Sequence, residues 1–364
     1  MKLTTIISLA AVLALAAAPG IYAQASGPQA AKPAVKKAAK PAAKKAAPAQ
    51  PSVKAPAAAA VKQPAAKPAP AVQVSTASPF GAAVEKLGSP DPSMRRQGTE
   101  FLAQSRDQKA GPYLVKALSD ASAPVRASAA DGLCQLVYRE ATPKITDLLL
   151  NDKDAQVRQQ AASSLSYMMD QSAGPALVKA LKDEAPGVRY AAANTLGAMR
   201  YAQAEAPLIE LLSDDGMRRV AISALGRLQS KKAAPAIFSA LSDKDQYTRL
   251  EAVRALGSIG DASAAPELKK RLDKAETPSI RVEAALSLAK LGSQDGLLTA
   301  YEFVRSPDMS LKNQSLEVIG AVGDARSLQF IEELYAAEQD PMTKSMLDFT
   351  RQRLAARQKT QPKK

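Results

Sequence analysis

Residues 188–196 read VRYAAANTL, and this stretch recurs along the chain. With its arginine as position zero, basic residues stand at Arg95, Arg126, Arg158, Arg189, Arg218, Arg249, Arg281 and Lys312, 29 to 32 residues apart. Seven positions after each lies an aliphatic residue, from Leu102 and Leu133 through Leu196 to Leu288 and Ile319. Three positions after each lies a small one, such as Gly98, Ala161, Ala192 and Ser315. Three registers held through eight copies at a period near 31 mark a stacked-repeat protein.

Each unit reads as two helices. The first opens near a proline (Pro112, Pro143, Pro175, Pro207, Pro235, Pro266), which a helix tolerates in its first turn. Apolar residues follow at helical spacing, as at Leu114, Val115 and Leu118. A polar turn comes next, with Asp120, Asp152, Asp183, Asp214 and Asp243 at capping positions. On the second helix, the positions one before the arginine and three, seven and ten after it share a face. Val188, Ala192, Leu196 and Met199 occupy them in the opening stretch and predict a core seam. Gly260, Gly292 and Gly323 suit the helix ends. The pattern fades over residues 80–105, which lack a proline-led first helix, and over 341–356, where Arg351 replaces the expected leucine. Both segments read as caps, whose outer faces meet water.

The copies VRYAAANTLGAM at 188–199 and TRLEAVRALGSIGD at 248–261 resemble HEAT repeats of the short phycobilisome-lyase HEAT-like type. The resemblance covers residues 80–356. It implies an all-α, right-handed α-solenoid (superhelix) of about eight helical hairpins. It also implies a ladder of turn aspartates and second-helix arginines. The matching positions are Asp120/Arg126, Asp152/Arg158, Asp183/Arg189 and Asp243/Arg249, each six apart. The pattern departs at Arg218, Arg281 and Lys312, so the ladder is expected to break towards the C-terminus.

Two other compositions flank the repeats. Residues 1–25 read as a secretory signal peptide, with Lys2, an apolar run over 6–18 and a small-residue site at Ala23-Gln24-Ala25. The run is shorter than the roughly 20 residues of a membrane span, so no integral span is expected after cleavage. Residues 26–79 carry nine lysines, no acid and recurrent proline, the composition of a disordered Ala/Lys/Pro-rich linker. Residues 357–364 read as a basic disordered tail. The chain is +14, yet residues 80–356 hold equal numbers of acids and bases, so the basicity belongs to the flanks. The signal together with a single cysteine points to export, in a bacterial periplasm or another extracytoplasmic space.

For function, the eight aligned basic residues read as ladder rather than as a nucleic-acid groove. Positions two, five and nine after the arginine form the outward face of the second helices, which in HEAT-type solenoids tends to line the concave side. Glu100, Asp131, Glu251, Glu283 and Glu317 stand there against Arg227, Arg254 and Lys290, with Gln160, Tyr167 and Asn194 between them. This mixture is not the clustered basic track a polyanion needs. It fits a protein partner, with Asp131, Tyr167, Asn194, Arg227, Glu251 and Arg254 as candidate contacts. Tyr138, Tyr167, Tyr190, Tyr201 and Tyr247 read as inter-repeat packing in preference to binding anchors. Cys134, eight positions after its arginine among small residues, reads as a buried inert thiol.

With no histidine in the chain, no Cys–His or Ser–His pair exists, and no catalytic, cofactor-binding or metal-binding residue is assigned. Among enzymes that share the repeats, deoxyhypusine hydroxylase holds iron through His-Glu motifs that are absent here. HEAT-type alkylpurine glycosylases use a tryptophan-lined basic cleft, and this chain has no tryptophan. Phycobilin lyases sit poorly with an export signal and a lysine-rich linker. The expectation is therefore an exported, non-enzymatic scaffold or adaptor that binds a protein on its second-helix face, without a cofactor. One alternative is a linker that makes salt-sensitive contact with an anionic envelope polymer or nucleic acid, with the solenoid as cargo. A lesser one is a lyase-like enzyme.

Overall fold

A computed structural model of the protein describes residues 78–360, and among these every regular element is helical. Hairpin 1 joins α1 (Pro79–Lys86) to α2 (Pro92–Gln104), and hairpin 2 joins α3 (Gly111–Ala117) to α4 (Ala123–Gln135). Hairpin 3 is α5 (Thr142–Asn151) with α6 (Ala155–Met168), and hairpin 4 is α7 (Gly174–Ala180) with α8 (Pro186–Ala198). Hairpin 5 pairs α9 (Glu205–Glu210) with α10 (Arg218–Leu228), and hairpin 6 pairs α11 (Ala234–Phe238) with α12 (Gln246–Ile259). Hairpins 7 and 8 are α13 (Ala265–Lys270) with α14 (Pro278–Lys290), and α15 (Leu297–Phe303) with α16 (Met309–Val322). Hairpin 9, α17 (Ala325–Ala337) with α18 (Pro341–Thr360), closes the array.

The described residues thus hold nine hairpins where about eight were expected. The extra unit comes from the ends. Pro79 opens α1, with Ser78 accepting the Gly81 N–H at 2.9 Å, so the first hairpin does have a proline-led first helix. At the other end α18 runs through Arg357 and Lys359 to Thr360, past the expected start of the tail. The expected signal peptide, nearly all of the linker and residues 361–364 lie outside the described residues.

Stacking follows from the sequence registers. Each second helix packs on the next, from α2 on α4 through to α16 on α18. Val188, Ala192 and Leu196 are fully buried and Met199 nearly so, and Ala129, Ala161, Ala221, Ala252 and Ala284 are equally enclosed. A close backbone approach recurs at another register, eight positions after the arginine. A Cβ added to Gly197 would land on the backbone of Ala224, one on Gly226 on that of Ala255, and one on Gly257 on Ser287. Each receiving residue is six positions after the arginine of the next hairpin. At two of these positions a hydroxyl ties the helices together. Thr195 Oγ1 donates to the Ala162 carbonyl at 2.9 Å, and Ser287 Oγ to that of Val253 at 3.0 Å.

Second helices stop by turning left-handed eleven positions after the arginine. Gly260 and Gly292 do so at φ +72° and +80°, the conformation glycine reaches without a steric penalty. Arg106, Val137, Met169, Arg200 and Gln229 adopt it with side chains. The next N–H then reaches back, as from Tyr138 to the Leu133 carbonyl at 2.9 Å and from Ser293 to that of Leu288 at 2.9 Å. Gly323, expected to act likewise, is instead extended at φ −63°.

Candidate functional site

The polar face of the second helices is tied together across hairpin boundaries. Gln160 Nε2 donates to Asp131 Oδ1 at 3.1 Å, and Gln135 Nε2 donates to Asp131 Oδ2 at 2.7 Å. Two hairpins on, Arg227 Nη1 donates to Asn194 Oδ1 at 2.8 Å. Arg254 bridges Glu251 at 3.1 Å and Glu283 of the next hairpin at 3.2 Å, and Gln314 donates to the same Glu283 oxygen at 3.2 Å. Glu283 is buried at 2% exposure because α14 is enclosed all round, every residue from Ile280 to Ala289 being buried. Tyr167 stands out on this face at 69% exposure. Of the six candidate contacts, the structure joins Asn194 to Arg227 and Glu251 to Arg254; Asp131 and Tyr167 stand apart from both pairs.

The face changes character along the array. Around α2 and α4 a shallow cleft is lined by Glu100, Gln104, Asp131, Gln135 and Gln160, with carboxylates and amides but no base. At α16 and α18 the corresponding cleft is apolar, built from Leu316, Met346 and Phe349, with Glu317 and Arg353 at its rim. This apolar end was not among the candidate contacts. Met346, Phe349 and Arg353 occupy positions two, five and nine after Lys344, the signal that could have found them.

The arginines form a ladder whose carboxylates come from the following hairpin. Arg126 Nη1 donates to the carbonyl of Asp120 in its own turn at 2.9 Å, six residues back. Its Nε and Nη2 clasp Asp152 of the next turn, both at 2.7 Å. Arg95 holds Asp120 in the same way at 2.7 and 2.8 Å, and Arg158 holds Asp183 at 2.8 and 2.9 Å. Arg218 reaches Asp243 at 2.9 Å, Arg249 reaches Glu276 at 3.5 Å, and Arg281 grips Glu302 at 2.9 and 2.6 Å. The break expected at Arg218 and Arg281 falls at Arg189 instead, whose fork finds only the carbonyls of Asp183 and Glu184. The unit after Arg189 is the shortest, at 29 residues, and its Asp214 caps the Gly216 N–H at 2.9 Å.

Asp120, Asp152, Asp183, Asp243 and Glu302 titrate below the usual range. Hydrogen bonds from Arg95 hold Asp120 down. The Asp245 N–H, then Arg218, does so for Asp243. At Asp152 and Asp183 burial pushes upward, but Arg126 and Arg158 together with a backbone N–H outweigh it. A second ladder went unread in the sequence. Thirteen positions after the arginine, Gln108, Gln171 and Gln294 donate to the carbonyls of Leu136, Met199 and Val322 at 2.9, 2.9 and 2.8 Å, closing the end of the next second helix.

The tyrosines divide. Tyr138 and Tyr201 pack against Gly111 and Gly174, where no Cβ would fit, whereas Tyr190 and Tyr247 are exposed like Tyr167. Cys134 is buried, and burial, reinforced by the charge of Asp131, pushes its thiol up to about 12. Such a thiol carries almost no thiolate at neutral pH.

A family model described as HEAT repeats matches residues 81–166, 142–220, 206–281 and 265–347. The chain belongs to the HEAT-repeat family. This HEAT-repeat chain is 28% identical to protein YibA of Escherichia coli K12 over 177 residues, 46% of the chain and 62% of YibA. It is 40% identical over 98 residues to phycocyanobilin lyase subunit alpha of Synechococcus elongatus, covering 24% of the chain and 36% of that subunit. With deoxyhypusine hydroxylase of Drosophila pseudoobscura it shares 25% identity over 190 residues, 50% of the chain and 60% of the enzyme. The chain spans less than two thirds of each of these relatives.

These last two relatives correct the expectation of a non-enzymatic protein. Residue types alone do not register kinship with an enzyme subunit. The similarity to a lyase subunit and a hydroxylase ties the repeats to enzyme families.

Proposed function

We propose that this HEAT-repeat chain is a protein-binding scaffold or subunit that presents its second-helix face to a protein partner. The observation that carries the reading is the row of cross-hairpin hydrogen bonds, Asp131–Gln160, Asn194–Arg227 and Arg254–Glu283–Gln314. Side chains already held by a neighbour lose less freedom when a partner arrives, which reduces the entropic cost of association. Tyr167, exposed beside this row, is of a residue type enriched in binding hot spots. The relative named as a lyase subunit is, by that name, a component of a larger assembly. In this reading residues 1–25 direct export to the periplasm and residues 26–79 give the scaffold reach.

The test is capture from an envelope extract by the full chain, washed at low and high salt, beside Tyr167→Ala and Arg227→Glu. A partner retained at high salt and lost with either variant supports the face. The nine linker lysines favour a second reading, contact with an anionic polymer. Capture that high salt abolishes and both variants leave intact would favour that reading instead.

A further inference from the structure

Helix α18 carries two apolar stripes. Leu347 and Leu354, with Thr343 and Thr350, face the core. Met342, Met346 and Phe349, at helical spacing four and three apart, form a second stripe, with Met342 67% and Phe349 69% exposed. This stripe is not the raw end of the stack. In the interior, the residue eight positions after the arginine faces the next hairpin. Here that residue is Gln352, which donates to Asp348 at 2.7 Å, while Arg351 pairs with the same carboxylate at 2.6 Å. The stacking end is therefore sealed with polar groups, and the apolar stripe lies on the second-helix face.

We propose that this end of the face is a two-fold interface with a second copy of the chain. It shares its face with the proposed function and rests on that reading only in taking the face as a contact surface. The occupant follows from the rim. Glu317 on α16 and Arg353 on α18 border the cleft that Phe349 lines. Neither side chain makes an ion pair or hydrogen bond among the described residues. The Arg353 stem lies over Gly320, where an added Cβ would come within 3.2 Å of it. An isologous interface needs a self-complementary patch. A two-fold axis near Phe349 sets Glu317 of one copy against Arg353 of the other, twice, around an apolar centre. Residues 80–356 carry balanced charge, so the repeats themselves add no net repulsion to the pairing, and the positive charge of the chain lies in its flanks.

Sedimentation equilibrium of the full chain over a concentration series tests this. The expected result is a reversible dimer that Phe349→Ser weakens by about 30-fold or more, as for a central interface aromatic, with the thermal melt unchanged at dilutions where the chain is monomeric. Arg353→Glu weakens it too, and the double variant Glu317→Arg/Arg353→Glu restores it. A monomer at every concentration overturns the inference, as does a dimer indifferent to Phe349→Ser or a charge swap that restores nothing. Each of these results leaves the scaffold reading standing, because that reading depends on capture through Tyr167 and Arg227. Capture of another protein that requires Phe349, by a chain that stays monomeric, also overturns the second copy as occupant.

Discussion

Five second helices end on a residue that bears a side chain in a backbone conformation two others reserve for glycine. Val137 is the most costly of them, because a β-branched side chain crowds the carbonyl in the left-handed region. It is also 49% exposed, so little packing is lost with it. Replacing Val137 with glycine should stabilise the protein by about 0.5–1 kcal/mol, the relief of strain exceeding the gain in unfolded-chain entropy. A denaturant titration with an unchanged slope and a higher midpoint would show it, and a lower midpoint would refute the strain. The turn aspartates were legible from the sequence as caps, because Asp before a helical pattern has a local cause. Their clasp by the preceding arginine was not, since a six-residue spacing cannot tell the carbonyl of Asp120 from the carboxylate of Asp152 as the partner of Arg126. Nor could spacing show that Asp214 turns away from Arg189, which depends on the shape of a shortened loop.

The hairpins were readable because the apolar registers repeat, and the registers are what packing requires. Ala161→Leu forces a branched side chain into a fully buried site and should cost about 1–3 kcal/mol. Leu196→Ala leaves a cavity and should cost about 2–5 kcal/mol. Unfolding free energies that both substitutions leave unchanged would contradict the seam. The small residues three positions after the arginine are buried as the seam requires, and at Gly98 the backbone of Ala83 comes close, but a recurrent backbone approach also falls at Gly197, Gly226 and Gly257. Their partners Ala224, Ala255 and Ser287 lie on another hairpin, and a single unit's pattern does not display them. Helix α1 was missed for a compositional reason. Pro79 follows a run of prolines in the linker, which hides that this one starts a helix.

Across the whole array the paired carboxylates couple stability to acid. Asp120, Asp152, Asp183 and Asp243 all have lowered values in the folded chain. Their contribution is complete above the unfolded value of about 3.9 and is lost as pH falls through the lower folded values. Unfolding free energy should therefore hold steady on this account from neutrality to about pH 5 and fall below about pH 4, with a shallower acid limb in Asp152→Asn. An acid limb identical in that variant would remove the ladder as its cause. The polar face was legible as a mixed surface, and its apolar end was not, because the motif residues change there, Lys344 standing for arginine and Arg351 for leucine, although the 32-residue spacing from Lys312 holds. The ladder also has a direction, each of its arginines except Arg189 reaching forward for a carboxylate. At the first hairpin the receiving position holds Ser89, whose carbonyl Arg95 takes at 3.0 Å. At the last, Lys344 stands in place of an arginine and spends its ammonium on the Glu338 carbonyl at 3.3 Å. Among the described residues neither end offers the ladder partner that the opposite end of another copy would need, so the arginine ladder does not run on from one copy into the next. An open-ended stack of like units has no stop of its own, and here the polar thread that joins one unit to the next finishes on a serine at one end and a lysine at the other.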